Sequence, residues 1–302
     1  MYPVYKSIGI MEKCERVKIL FPQQHQDSQP GLEYIMEPRP ISDNPYYIGS
    51  CKLQGKVAII TGGDSGIGRA VAYAFAKEGA DIAISYLCEH KDANETKEYI
   101  ERLGRKCILI PGDLKKEEMS KVVVEKTIKY FGKIDILVNN HGVQFIQESI
   151  LDITAEQLDE TFKTNIYSFF YMTKAVLPHL KKGASIINTT SITAYQGEPL
   201  LIDYSATKGA ILTFTRSLSQ SLISKGIRVN GVAPGPIWTP LIPTSFSAKQ
   251  VETFGSNTSK VPMKRAGQPF EVATSFVFLA SDDSSYMSGQ ILHPNGGAIV
   301  GS

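Results

Sequence analysis

The sequence predicts an α/β protein: a single doubly wound domain on a parallel sheet of about seven strands, preceded by an N-terminal arm. From Lys56 onward, short apolar β-branched runs alternate with longer amphipathic ones along the whole segment. The short runs are apolar on both faces, so the sheet they form must be covered on each side by the intervening helices. Right-handed crossovers then wind the chain both ways from a central strand. A composition of 42% hydrophobic and 21% charged residues supplies an ample core for 302 residues.

Residues 1–52 come first and differ from the rest. They hold Pro3, Pro22, Pro30, Pro38, Pro40 and Pro45, a Gln-rich PQQHQ patch, and no sustained period. This is an arm, either mobile or laid over a folded surface. Tyr2, Tyr5, Tyr34, Tyr46 and Tyr47 favour docking. The domain proper is expected over 53–302.

KVAIITGG reads as the first buried strand, and GIGRAVAYAFAKEGA as the first helix, closed by Gly79. DIAISYL is the second strand and KDANETKEYIERLG a charged helix ending at Gly104. KCILIPGDL and IDILVNNHG are strands flanking the helix EEMSKVVVEKTIKYFG. A long helical stretch, TAEQLDETFKTNIYSFFYMTKAVLPHLKKG, leads to the strand ASIINTTS. The helix IDYSATKGAILTFTRSLSQSLISKG precedes the strand IRVNGVAPG, and GQILHPNGG is the seventh strand.

Bulk properties exclude several function classes. With 32 basic and 30 acidic residues the net charge is +2, so nothing drives binding to nucleic acid or an anionic membrane. No apolar run is long enough to span a bilayer, and the N-terminus lacks a signal-peptide pattern. Cys14, Cys51, Cys88 and Cys107 show no zinc-ligand spacing and read as free thiols of a reducing, cytoplasmic compartment. No His/Glu cluster suggests a metal.

The strongest local signal is Thr61-Gly62-Gly63-Asp64-Ser65-Gly66-Ile67-Gly68, between the first strand and the first helix. There a doubly wound sheet binds a dinucleotide pyrophosphate, and glycine lets backbone N–H groups at the helix N-terminus approach the phosphates. Asp64 and Ser65 can order the turn. The glycine spacing, from Gly62 through Gly66 to Gly68, is neither Gly-x-Gly-x-x-Gly nor a P-loop. In this respect the chain resembles the short-chain dehydrogenase/reductase family, of Rossmann-type fold. The resemblance covers about residues 53–298, and is greatest to bacterial members with a proline-rich N-terminal extension, including stress-associated and glucose-dehydrogenase-like oxidoreductases.

That resemblance implies NAD(H) or NADP(H) as cofactor. It implies that Ile67 belongs to the phosphate turn, that Asp113 and the adjoining Leu114 meet the adenine, and that Asn140 and Gly142 of Asn139-Asn140-His141-Gly142 line the cofactor. His141 replaces the family's usual alanine: it is either a substrate or ribose contact or, the favoured reading, a tolerated side chain pointing from the strand end. Pro234, Gly235, Ile237 and Thr239 of APGPIWT are similar to the segment that holds the carboxamide. The second strand ends at Ser85 and Tyr86, without the acid that selects NAD. Tyr86 takes that place, His90 and Lys91 could pair with a 2′-phosphate, and Glu89 opposes it, so either cofactor remains open.

Tyr204 and Lys208 are four apart and share one helix face. A tyrosine of pKa about 10 is a poor base at neutral pH, and a nearby ammonium favours its phenolate. Tyr204 can then take a proton from an alcohol or return one to an alkoxide. Ser191, just after the fifth strand, can hydrogen-bond the reacting oxygen. Together they are similar to the family's serine–tyrosine–lysine set, and Asn165 resembles its fourth member, which in the family holds a water linking the lysine to solvent. No Gly-x-Ser-x-Gly elbow surrounds Ser191, which disfavours a hydrolase.

The segment Pro236–Pro269, with Trp238, Leu241, Phe246 and Phe254, is expected to lie over the site as a lid. Its mixed polarity leaves aldehydes, ketones and sugars open as the small-molecule substrate. Apolar residues on more than one face of the two long helices, with the resemblance, imply a homotetramer built as a dimer of dimers. The alternative to an NAD(P)-dependent alcohol/carbonyl oxidoreductase is a non-catalytic nucleotide-binding sensor. Loss of the serine, tyrosine or lysine would favour it, and all three are present. An extended-type sugar-nucleotide epimerase would need a larger C-terminal domain.

Overall fold

A computed structural model describes residues 20–256 and 261–301, together with the backbone of 10–12 and 16–18. In chain order the strands are β1 (Ile10–Glu12), β2 (Arg16–Lys18), β3 (Val57–Thr61), β4 (Asp81–Tyr86), β5 (Cys107–Pro111), β6 (Ile136–Asn139), β7 (Ser185–Thr189), β8 (Arg228–Val232) and β9 (Ile291–Leu292). The helices are α1 (Gly66–Lys77), α2 (His90–Arg102), α3 (Glu117–Phe131), α4 (Ala155–Phe162), α5 (Ser168–Val176), α6 (Thr193–Gln196), α7 (Ile202–Leu222), α8 (Leu241–Ser245), α9 (Ala248–Glu252) and α10 (Pro269–Ala280).

Strands β3 to β9 form one parallel sheet in the order β5-β4-β3-β6-β7-β8-β9. The chain runs outward from β3 to β5, returns beside β3 as β6, and then runs outward the other way. The reversal between β3 and β6 opens a crevice at the carboxyl ends of those strands, where such sheets bind ligands. Side chains alternate between the two faces of each strand. Ala58 and Ile60 pack with α1, α2 and α10 in one core. Ile59 between them packs with α3, α5 and α7 in another. Every residue of β3 is buried, as a strand covered on both sides requires.

Two elements depart from the sequence reading. The long stretch before β7 is not one helix: α4 passes through a π-helical turn at Lys163–Tyr167 into α5, with a 3₁₀ turn at Leu177–His179. Helix α10 was not anticipated, because the sequence there is apolar nearly all round. Its start is nevertheless marked by Pro269 in the first turn and a capping box between Gln268 and Glu271.

The arm is laid over the surface from residue 20 onward. Phe21 stacks on Trp238, centroids 3.9 Å apart, and the Trp238 indole N–H donates to the Pro38 carbonyl at 2.8 Å. Tyrosines carry less of the docking than expected. Tyr46 is exposed, Tyr34 lies under the Lys91 ammonium, and Tyr47 hydrogen-bonds Glu78. Tyr2, Tyr5 and Cys14 lie outside the described residues. Cys51, Cys88 and Cys107 are free thiols. Among the described residues no helix is long and apolar enough to cross a membrane, and no side-chain cluster could hold a metal ion.

Candidate active site

A cavity of about 670 Å³ opens at the carboxyl ends of β3, β4, β6 and β7. Its floor at one end is the turn between β3 and α1. Gly62 and Gly66 have φ of +62° and +52°, a conformation that favours glycine. A Cβ on Gly68 would stand 1.9 Å from the Gly62 carbonyl oxygen, so α1 starts hard against the turn. Gly68 therefore packs beneath the turn and does not line the cavity, contrary to its expected role as a contact. Gly62, Asp64, Ser65, Gly66 and Ile67 do line it. So do Tyr86, Asp113 and Leu114 from the ends of β4 and β5.

The Asn140 side chain donates to the carbonyls of Thr61 and Gly62 at 3.2 Å, fastening the turn to the end of β6. Asn140 and Gly142 line the middle of the cavity, and Pro234, Gly235, Ile237 and Thr239 line the wall beyond β8. His141 lines the cavity, but both of its ring nitrogens are engaged within the protein. Its Nδ1 pairs with Thr61 Oγ1 at 2.7 Å and its Nε2 with Ser168 Oγ at 2.8 Å, tying β6 to β3 and α5. Burial, with the Lys208 charge adding to it, pushes its pKa down to about 3.

Two carboxylates stand close together at the end of the cavity beside β4. Asp64 is buried, and burial first, then the nearby Glu89 carboxylate, raise its pKa to about 7. Glu89 lines the cavity, but His90 and Lys91 do not: His90 pairs with the Tyr86 hydroxyl and Lys91 with the Tyr34 ring. The two basic side chains expected to meet a phosphate are engaged elsewhere.

At the other end Ser191, Tyr204 and Lys208 line the same cavity. Ser191 follows β7, and its hydroxyl accepts from the Thr193 N–H at 3.1 Å at the start of α6. Tyr204 and Lys208 project from the first turns of α7, and Lys208 Nζ lies 5.4 Å from the Tyr204 ring centroid. The Lys208 ammonium donates to the Thr189 carbonyl at 3.0 Å. Burial pushes Tyr204 up to about 12, with a hydrogen bond from Ser191 acting the other way. Burial pushes Lys208 down to about 7. Tyr204 therefore moves upward, opposite to the lowering expected from Lys208, whose charge is not among the causes acting on it.

Asn165 does not line the cavity. It sits fully buried in the π-helical turn behind Gly142, with Oδ1 accepting from the Val143 N–H and Nδ2 donating to the Val143 carbonyl, each at 2.8 Å. Its Nδ2 also reaches Thr207 Oγ1 at 3.2 Å. The turn that interrupts α4 and α5 presents this side chain to the loop that follows β6.

The lid holds as expected for Leu241, Phe246 and Phe254, which line the cavity. Trp238 does not: it is fully buried on the outer side, against the arm. The sequence reading missed Gln29, Pro30 and Gly31 of the arm, which complete the cavity wall. No local signal marks them, because they reach the site only through tertiary packing.

A family model described as enoyl-(acyl carrier protein) reductase matches residues 62–298. The uncharacterized oxidoreductase YhxC of Bacillus subtilis is 64% identical over 283 residues, covering 94% of this chain and 98% of its own. Glucose and ribitol dehydrogenase of Daucus carota is 56% identical over 93% of this chain and 97% of its own. A short-chain dehydrogenase of Burkholderia cenocepacia, solved in complex with NADP, superimposes with a TM-score of 0.75 at 32% identity, covering 82% of this chain and 98% of that one. The likeness to YhxC covers more of the chain than follows residue 52, so it reaches into the arm, beyond the expected limit. The chain belongs to the short-chain dehydrogenase/reductase family and is an oxidoreductase that uses NAD(H) or NADP(H).

Proposed function

We propose that the protein interconverts a neutral hydroxylated alcohol, such as a sugar or polyol, with its carbonyl compound, and that Tyr204 is the acid/base. The observation that carries this reading is the convergence of Ser191, Tyr204 and Lys208 on one end of the cavity whose other end is the glycine-rich turn. The turn, Asp113, Asn140 and Thr239 would hold the dinucleotide, and the left-handed glycines at positions 62 and 66 leave its backbone open to phosphates. When bound, the nicotinamide supplies or accepts the hydride.

The protein's own groups handle the proton. Ser191 donates to the substrate oxygen and orients it towards Tyr204. The Tyr204 hydroxyl gives its proton to the forming alkoxide in reduction and recovers it in oxidation. Lys208, anchored on the Thr189 carbonyl, supplies the positive charge that favours the phenolate. Asn165 positions the Gly142–Val143 backbone beside Lys208.

Thr193, Gln196, Gln250 and Thr253 give the substrate end amide and hydroxyl partners, with Phe246 and Phe254 as apolar walls. Such a lining suits hydroxyl-bearing substrates. The name of the carrot relative, glucose and ribitol dehydrogenase, supports the same class. We place the protein in the cytoplasm, with residues 53–302 as the catalytic domain and 1–52 as an extension. Half-exposed Tyr167 and Phe170 on the π-turn and α5 support assembly through these helices into a tetramer, which light scattering tests.

Nicotinamide absorbance with NADH and NADPH against aldehydes and polyols tests the chemistry. Tyr204→Phe is expected to bind cofactor and lose turnover by a factor of about 10² or more. Undiminished turnover would remove Tyr204 from its role. Binding without turnover in the wild type would favour the sensor reading.

A further inference from the structure

The wall of the cavity contains three residues from the arm, and one of them holds the loop after β6 that lines the site. The Gln29 carboxamide makes two hydrogen bonds to the backbone of Gln144. Its Nε2 donates to the Gln144 carbonyl at 2.6 Å, and the Gln144 N–H donates to its Oε1 at 3.3 Å. This pairing imitates a short piece of sheet, with a side chain standing in for a strand. The carbonyl also accepts from Ser245 Oγ at 3.4 Å, at the end of α8 in the lid. Arm, lid and this loop therefore meet at one buried residue.

The next link runs inward. Val143, beside Gln144, is bonded in both directions to the Asn165 side chain. Asn165 in turn reaches Thr207, whose neighbour is Lys208. A Cβ on Gly142 would stand 3.2 Å from Asn165 Oδ1 and 3.6 Å from Lys208 Nζ, so this backbone is in close contact with both groups.

The arm also fastens the lid from outside. A Cβ on Gly31 would stand 2.5 Å from the Pro240 carbonyl oxygen and 2.7 Å from the Thr244 methyl, so the arm backbone lies directly on α8. Gln26 N–H donates to the Pro243 carbonyl at 2.9 Å, and Phe21 N–H to the Glu252 carbonyl at 3.1 Å. The Phe21–Trp238 stack closes the same contact. A lid left to itself would open on a microsecond-to-millisecond scale, and these contacts oppose that.

We propose that the arm is a working wall of the active site, in which Gln29 is a positioning residue. It holds the Val143–Gln144 backbone, and through it Asn165 and Lys208, while Gly31 seats the arm on the lid over the substrate. The inference takes the Ser191–Tyr204–Lys208 reading as its starting point.

The test uses the full chain with DL-glyceraldehyde as probe and compares Gln29→Ala, Gly31→Ala and Tyr204→Phe with wild type. Cofactor Kd, from nicotinamide fluorescence, and Tm are measured on each. Gln29→Ala is expected to lower kcat about tenfold, the equivalent of one good hydrogen bond in the transition state. Its cofactor Kd should stay within about twofold and its Tm within a few degrees. Gly31→Ala is expected to raise the KM for glyceraldehyde several-fold, because the lid must move to admit the methyl group. Wild-type kcat in Gln29→Ala would overturn the proposal. So would a parallel loss of kcat, cofactor binding and Tm, which is what a mere stabilising clip would give. Retained turnover in Tyr204→Phe would instead sink the acid/base reading and leave the comparison of Gln29 variants intact.

Discussion

The Glu33 carboxylate lies 2.7 Å from the Arg69 guanidinium, and both side chains are almost fully buried. Glu33 comes from the arm and Arg69 from the first turn of α1, so a charge pair in the interior joins the extension to the helix that follows the glycine-rich turn. Glu33 Oε2 also accepts from the Gly66 N–H at 2.6 Å, and Arg69 bonds Asp92 Oδ1 at 3.0 Å. Burial raises the Glu33 pKa and the Arg69 charge lowers it in part.

Removing either partner breaks a buried ionic network, at a cost of about 3–5 kcal/mol: without Glu33, Arg69 keeps only Asp92 and Glu95, and without Arg69, Glu33 and Asp92 face each other with only the more distant Arg39 beside them. Glu33→Ala is therefore expected to lower Tm by roughly 6–20 °C, at about 2–4 °C per kcal/mol for a chain of this size. Arg69→Ala should do the same. The double variant should lose less than the sum, because both single losses include the Glu33–Arg69 contact. Additive losses by calorimetry would show that the pair is not coupled.

The parts of this molecule that were legible in the sequence are those written over short spacings. Tyr204 and Lys208 are four apart, the glycine turn is one contiguous string, and each strand of the main sheet announces itself as an apolar run. Gln29 and Gln144 are 115 residues apart, and Glu33 and Arg69 are 36 apart. No period or motif links such pairs, so the arm could be read only as a proline-rich extension. Trp238 was misplaced for the same reason: an aromatic in a lid faces the site or the outside according to what covers it, and here Phe21 covers it. The direction of the Tyr204 and Lys208 pKa shifts was likewise hidden, since desolvation depends on packing from elements distant in sequence.

Cofactor choice should depend on pH through Asp64. Burial and the Glu89 carboxylate raise its pKa to about 7, and Asp64 and Glu89 both line the cavity beside β4, where a cofactor's adenosine is proposed to lie. A 2′-phosphate placed there meets growing negative charge as pH rises through 7. The ratio of NADPH to NADH dissociation constants is expected to increase several-fold from pH 6 to pH 8, an effect of one added charge at short range. Asp64→Asn should flatten it. Equal slopes for the two cofactors in wild type would show that the phosphate does not sense Asp64.

The same shift makes a stability prediction of definite sign. The folded-state pKa of Asp64 is raised from 3.8 to about 7, so its contribution is fully present below 3.8 and is lost as pH rises through 7. Relative to wild type, Asp64→Asn is expected to lose less stability between pH 4 and 7 in urea titrations.

The direction of the reaction should also follow pH. Reduction uses the protonated Tyr204 hydroxyl, which burial keeps protonated well above neutrality. Oxidation uses the phenolate. The kcat/KM for polyol oxidation is expected to rise from pH 7 to pH 10 while that for aldehyde reduction does not. Lys208→Met should lower both, because it removes the charge that favours the phenolate. Unchanged rates in Lys208→Met would show that this charge takes no part.

His141 has the opposite linkage to Asp64. Its folded-state pKa is pushed from 6.5 down to about 3, so its contribution is present above 6.5 and is lost as pH falls towards 3. Because both ring nitrogens are bonded, to Thr61 and Ser168, the neutral ring is a connector between β3, β6 and α5. His141→Ala restores the residue usual in the family but leaves two buried hydroxyls with fewer partners, at about 1–3 kcal/mol. The variant is expected to be less stable at pH 7 and to lose the acid-side decline between pH 6.5 and pH 4. An imidazole NMR titration in wild type with a midpoint near 6.5 would contradict the buried, neutral ring on which both expectations depend.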